Sequence, residues 1–182
     1  MLEKLESLDI QLFVFLNSLG AENFDGFWLF ITKQANWTPV FLILLYLVYK
    51  KIGVKQTLYL LLFVAVLITC TDQITNLVKN TFQRLRPCNN SDISTFIRIV
   101  KHSNTYSFFS GHAANSMAVA TFLFLVMRTH YNYFGILFAW PMVFAYSRIY
   151  LGLHYPLDIF TGYACGFTFG LLMYKIYGRF KL

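Results

Sequence analysis

Charge is scarce in this chain: 13% of its 182 residues are Asp, Glu, Lys or Arg, about half the roughly 25% of a soluble domain. A water-soluble fold needs a polar surface, so this scarcity argues against an ordinary soluble globule. Cysteine is scarce too. Cys70 and Cys165 lie inside apolar runs and read as small packing residues, while Cys88 follows Pro87 in a polar loop. Three cysteines so placed form neither a disulfide framework nor a zinc pattern. The N-terminus, Met1-Leu2-Glu3-Lys4-Leu5-Glu6, lacks a cleavage signal and is expected to be retained. There is no internal repeat, low-complexity tract or linker, so residues 1–182 read as one domain.

Apolar residues are abundant: hydrophobic side chains make up 57% and aromatics 19%, with 20 Phe and 12 Tyr. That composition excludes a disordered chain, a coiled coil and a collagen-like fibre. The simplest reading is an integral membrane protein. The net charge of +7 would raise nucleic acid as a partner in a soluble protein. Here the cations sit mostly between apolar runs, which points instead to anionic headgroups or a phosphate-bearing substrate.

A bilayer core needs about 20 apolar residues as helix. Five runs approach this: Trp37–Tyr49, Thr57–Thr71 (continuing toward Val78), Gly111–Met127, Tyr131–Tyr146 and Leu157–Ile176. Ile10–Leu19 and Phe24–Thr32 are each too short to cross, and Gly20-Ala21-Glu22-Asn23 breaks them. Residues 1–35 are therefore expected as an interfacial amphipathic segment, with a sixth crossing as the alternative. The expected fold is all-α, a membrane bundle of five or six transmembrane helices. Gly162, Gly166 and Gly170 form a small-residue stripe, suited to close helix packing within the chain or, less readily, between two copies. The oligomeric state is not legible. Alternating loops place Lys50, Lys51, Lys55, Arg128, Lys175, Arg179 and Lys181 on one side. The positive-inside rule makes that side cytoplasmic, so the loops 79–110 and around His154 face outward.

Those outward loops carry the polar residues that matter. Lys79, Arg86 and Arg148 are three cations near a low-dielectric boundary, costly unless an oxyanion relieves them. Ser110-Gly111 opens a span, so its free N–H groups and the helix dipole favour an anion there. His154 and Asp158 are four apart and share a helix face, so Asp158 can fix the imidazole tautomer and leave the other nitrogen as a nucleophile or base. His112, from another loop, could protonate a leaving oxygen and then activate water. A metal site from His112, His154 and Asp158 is disfavoured, because the same loops bring three cations.

Lys79 to Arg86-Pro87 fits KxxxxxxRP, Ser147-Arg148 to His154 to Asp158 fits SRxxxxxHxxxD, and Phe109-Ser110-Gly111-His112 fits PSGH with Phe in place of Pro. On these motifs, within residues 79–158, the chain resembles the type-2 phosphatidic acid phosphatase superfamily, which includes bacterial acid phosphatases and vanadium haloperoxidases. The resemblance implies His154 as phosphoryl-accepting nucleophile, Asp158 as its orienting partner and His112 as acid/base. It implies phosphate binding by Lys79, Arg86, Ser110, Gly111 and Arg148, and catalysis without a metal or other cofactor.

The expected function is a membrane phosphatase for a lipid phosphate or diphosphate, at the outer face of a bacterial inner membrane. Undecaprenyl diphosphate is the first candidate, followed by phosphatidylglycerol phosphate, phosphatidic acid and lipid A phosphates. Vanadate-dependent oxidation and a non-enzymatic membrane protein are the competing classes. The other polar residues read more blandly. Asp72 reads as polar helix near the interface, Arg84, Arg98, Lys101 and His102 as solvated loop charges, and Tyr150 and Tyr155 as interfacial aromatics.

Overall fold

The computed structural model describes residues 2–180; Met1, Lys181 of the cytoplasmic cation count, and Leu182 lie outside them. Helices α1 (Leu2–Ser18), α2 (Asp25–Ile31), α3 (Thr38–Phe82), α4 (Gly111–Met127), α5 (Ala139–Tyr150) and α6 (Pro156–Phe180) carry the chain. Short 3-10 turns and loops join them, and there is no strand among the described residues.

The centre of the bundle is α4, apolar on every side and buried along most of its length. Helix α6 lies against it at backbone distance. A Cβ built on Gly162 would sit 2.7 Å from the Ser110 carbonyl, and one on Gly170 would sit 2.7 Å from that of Ala118. One on Gly166 would overlap the Ala114 carbonyl. The glycine stripe is thus filled by α4 of the same chain.

The first two apolar runs prove to be one helix of 45 residues broken at Gly53, whose φ of 75° and ψ of 173° suit glycine. A straight rod would separate Phe41 from Ile68 by about 40 Å, yet both line one cavity. The chain therefore folds back at Gly53 into two arms, 38–52 and 54–82, with Lys50, Lys51 and Lys55 beside the bend. The second arm runs past its apolar stretch to Phe82 and takes Lys79 into its last turn. Gln83, in the left-handed region, ends it by donating its N–H to the Lys79 carbonyl at 3.0 Å.

Helix α5 starts later than the Tyr131–Tyr146 run suggests. Pro141 is tolerated only near a helix start, and a 3-10 turn at Phe134–Phe138 fills the preceding stretch. The helix continues to Tyr150, so Ser147 and Arg148 belong to its last turns rather than to the loop.

The N-terminal segment is docked on the bundle. Asp9, Phe13 and Asn17 make a buried stripe at four-residue spacing. The Asn17 amide donates to the carbonyls of Arg98, Ile149 and Tyr150, each at 3.1 Å, and its oxygen accepts from the Arg98 N–H at 2.7 Å. Leu5, Leu8, Leu12 and Phe15 face outward. Helix α1 thus buries Asp9 and Asn17 beside Phe13, and its outer face mixes these apolar side chains with Glu3, Lys4, Glu6, Ser7 and Gln11. Gln34–Asn89 and Pro156–Phe180 are long and apolar enough to cross a membrane.

Candidate active site

The motif residues converge. Lys79 comes from the end of the second arm, Arg86 from the loop after it, and Gly111 and His112 from the start of α4. Arg148 comes from α5, and His154 from the loop before α6. These six line one cavity of about 470 Å³. Ser110 and Asp158 are fully buried and are not among its lining residues. Ser110 caps α4, its hydroxyl accepting from the Ala113 N–H at 3.4 Å, while its own N–H donates to the Asp158 carbonyl at 3.0 Å.

Arg86 is held from three directions. Its Nε and Nη2 donate to the carbonyl and hydroxyl of Thr105, both at 2.8 Å, and Nη1 donates to the Leu153 carbonyl at 2.9 Å. Nη1 also lies 3.0 Å from His154 Nε2. A guanidinium only donates, so Nε2 must be the lone-pair nitrogen and the imidazole proton sits on Nδ1. Nδ1 faces Asp158 Oδ2 and Ser107 Oγ, each at 3.4 Å. Burial, with the nearby charges of Arg86, Arg148 and Lys79, holds the His154 pKa well below the ordinary imidazole value of 6.5. The ring is therefore neutral, and its one lone pair, on Nε2, meets the Arg86 guanidinium at the cavity.

Asp158 is saturated. Oδ2 accepts from the Ser107 hydroxyl and from the Tyr155 N–H at 2.9 Å, and Oδ1 accepts from Arg84 Nη1 at 2.8 Å. Arg84 in turn pairs through Nη2 with Asp9 Oδ2 at 2.7 Å and lies over the Tyr155 ring at 4.0 Å. The other Asp9 oxygen accepts the Leu157 N–H at 2.8 Å, a free donor in the first turn of α6. Apart from Arg86, the cations on the cavity side are sparsely bonded. Lys79 Nζ donates to the Tyr106 carbonyl at 3.0 Å, and Arg148 Nη1 donates to Thr32 Oγ1 at 2.8 Å while its Nε is buried without a partner. His112 stacks on Phe144, ring centres 5.0 Å apart. Among the described residues no group of three His, Cys, Asp or Glu is placed to hold a metal.

Several expectations need correcting. Arg84 is no solvated charge but the link between two buried carboxylates. Arg98 pairs with Asp25 at 2.9 Å, whereas Lys101 and His102 are exposed as expected. Tyr155 and Tyr150 are buried rather than interfacial; the Tyr150 hydroxyl donates to Asp25 at 2.7 Å. Asp72 accepts from the Asn115 amide at 2.6 Å. Asp9 and Ser107 went unassigned in the sequence. A signal for Asp9 existed: a lone acid set four and eight residues before Phe13 and Asn17, on one helical stripe.

This arrangement can bind an oxyanion at a neutral, oriented imidazole, with a second imidazole lining the same cavity. A family model described as the PAP2 superfamily matches residues 56–182. A lipid A 4'-phosphatase of Bacteroides thetaiotaomicron is 34% identical over 180 residues, covering 97% of this chain and 80% of that protein. An undecaprenyl-diphosphatase of Sulfolobus acidocaldarius is 28% identical over 172 residues, covering 92% and 78%. The crystal structure of a transmembrane PAP2-type phosphatidylglycerolphosphate phosphatase from Bacillus subtilis superposes with a TM-score of 0.74 at 16% identity, covering 97% of this chain and 87% of that one.

Proposed function

The chain belongs to the PAP2 superfamily and is a membrane lipid phosphatase, and on that premise we propose that it hydrolyses the phosphate monoester of a lipid A-type glycolipid through a phosphohistidine on His154. The observation that carries the mechanism is the His154 ring, neutral, with its Nε2 lone pair at the cationic cavity. Nε2 attacks phosphorus; the P–N bond forms as the bond to the lipid oxygen breaks. His112 supplies a proton to that oxygen, then takes one from the water that cleaves the P–N bond and releases phosphate. Arg86, Arg148, Lys79 and the N–H group at Gly111 stabilise the equatorial oxygens in both steps, while Ser110, its own N–H held by the Asp158 carbonyl, caps the helix that presents Gly111. Asp158 holds the Nδ1 proton in place. No metal enters this scheme.

The 34% relative moves a lipid A phosphate ahead of undecaprenyl diphosphate, which stands as the second reading on the 28% relative. By the positive-inside rule, the loop cations support a site on the outer face of a bacterial inner membrane. The test is phosphate release in detergent with EDTA, offering lipid A 4'-phosphate, undecaprenyl diphosphate, phosphatidylglycerol phosphate and phosphatidic acid. We expect the fastest release from lipid A phosphate. His154→Ala should lower it by at least about 10³-fold, as for loss of a covalent nucleophile. Activity that needs a divalent metal, or that survives the substitution, overturns the mechanism. Faster release from undecaprenyl diphosphate overturns the substrate.

A further inference from the structure

The cavity does not end at the cations. Along the second arm of α3, Lys79, Asn76, Asp72, Ile68 and Val64 recur at three- or four-residue spacing and all line it. At 1.5 Å per residue, Asp72 lies about 10 Å below Lys79 and Val64 about 22 Å below it. The facing wall on α4 repeats the order: His112, then Asn115, then the apolar Val119. The two walls are in register, because Asn115 Nδ2 donates to Asp72 Oδ1 at 2.6 Å. Thr71 donates its hydroxyl to Asn115 Oδ1, which fixes the direction of that amide. Asp72 Oδ2 has no hydrogen-bond partner among the described residues.

Asp72 and Asn76 are exposed on the cavity wall, with one carboxylate oxygen open to whatever enters. A carboxylate only accepts, so whatever sits opposite must donate. We propose that Asp72, Asn115 and Asn76 form a headgroup shelf that receives the ring hydroxyls or amide N–H groups of a sugar lying between the phosphate and the lipid tails. This rests on the phosphatase reading and narrows its substrate class. The cavity walls then match the substrate level by level: cations to phosphate, amides and carboxylate to sugar, and Ile68, Val64 and Val119 to acyl chain. Phosphatidic acid fits this order poorly, because its ester oxygens only accept.

Two synthetic probes separate these claims: an N-acyl glucosamine 4-phosphate with one alkyl chain, and an alkyl phosphate of the same chain length. The wild-type protein in detergent should favour the sugar probe at least tenfold in kcat/KM. Asp72→Ala should cut that ratio by tenfold or more, and Asp72→Asn, which keeps one acceptor oxygen, by less. Thermal unfolding of both variants controls for folding, and the within-protein ratio cancels any loss of active fraction. A ratio that moves by less than threefold in Asp72→Ala, or a wild type that turns over both probes equally, overturns the shelf and leaves the phosphatase reading intact. A wild type that releases phosphate from neither probe overturns both.

Discussion

The two sides of His154 are built by opposite rules. Behind the ring, every polar group is engaged: Asp158 accepts from Arg84, Ser107 and the Tyr155 N–H, and Arg84 reaches on to Asp9. In front, Arg148 keeps a buried nitrogen unpaired and Lys79 makes a single hydrogen bond. Saturation fixes a group in one orientation. Spare cationic donors leave room for an incoming anion. One ring can thus be held rigidly and still bind something that arrives and leaves.

The sharpest way to break this contrast is to alter the saturated side at its centre. Asp158→Asn should lower kcat by about 10³–10⁴-fold, by analogy with loss of the orienting carboxylate in a serine protease triad. Single-turnover trapping of the phosphoenzyme should show the loss in its formation. A smaller effect comes from the cationic side. With its pKa lowered, His154 stays unprotonated as pH falls through 6.5. The wild-type kcat/KM should therefore hold at pH 6.5 and decline only in a more acid range. Arg86→Gln removes one cause of the lowering, so the acid limb should move up toward 6.5 as overall activity falls. A pH–rate profile in which the limb stays put would assign the shift to burial and the charges of Arg148 and Lys79. The smallest effect lies farthest out. Asp9→Asn leaves Arg84 with one carboxylate and should cost about tenfold in kcat with KM little changed, as a small misplacement of a positioned group does. Loss of KM alone would show that α1 contacts substrate rather than positioning Asp158.

Much of this was legible in the sequence, but unevenly. The Gly111–Met127 run is α4 to the residue, since a helix apolar on all sides has sharp edges where polar loops begin. Six of the eight motif residues share one cavity because the alternation of spans brings their loops to one end. The hairpin at Gly53 was half-visible, as two runs with cations between them. Arg84 was misread because its partners, Asp9 and Asp158, are 75 and 74 residues away. Local spacing carries no vector across such distances. Tyr150 and Tyr155 were misread because an aromatic beside a span suits both an interface and a core, and only the docking of α1 and α2 decides between them.

The joint between Asp9 and the start of α6 also sets an order of events during synthesis. Asp9 leaves the ribosome early, but its partner Leu157 follows 148 residues later. At a bacterial elongation rate of roughly 5–20 residues per second, that delay is on the order of ten seconds or more. Throughout that interval the first helix has its polar stripe unmatched at one end, and His154 has no carboxylate behind it. The nascent chain is therefore inert toward the lipids around it. Hydrolytic competence arrives in one late step, when the last helix closes against the first.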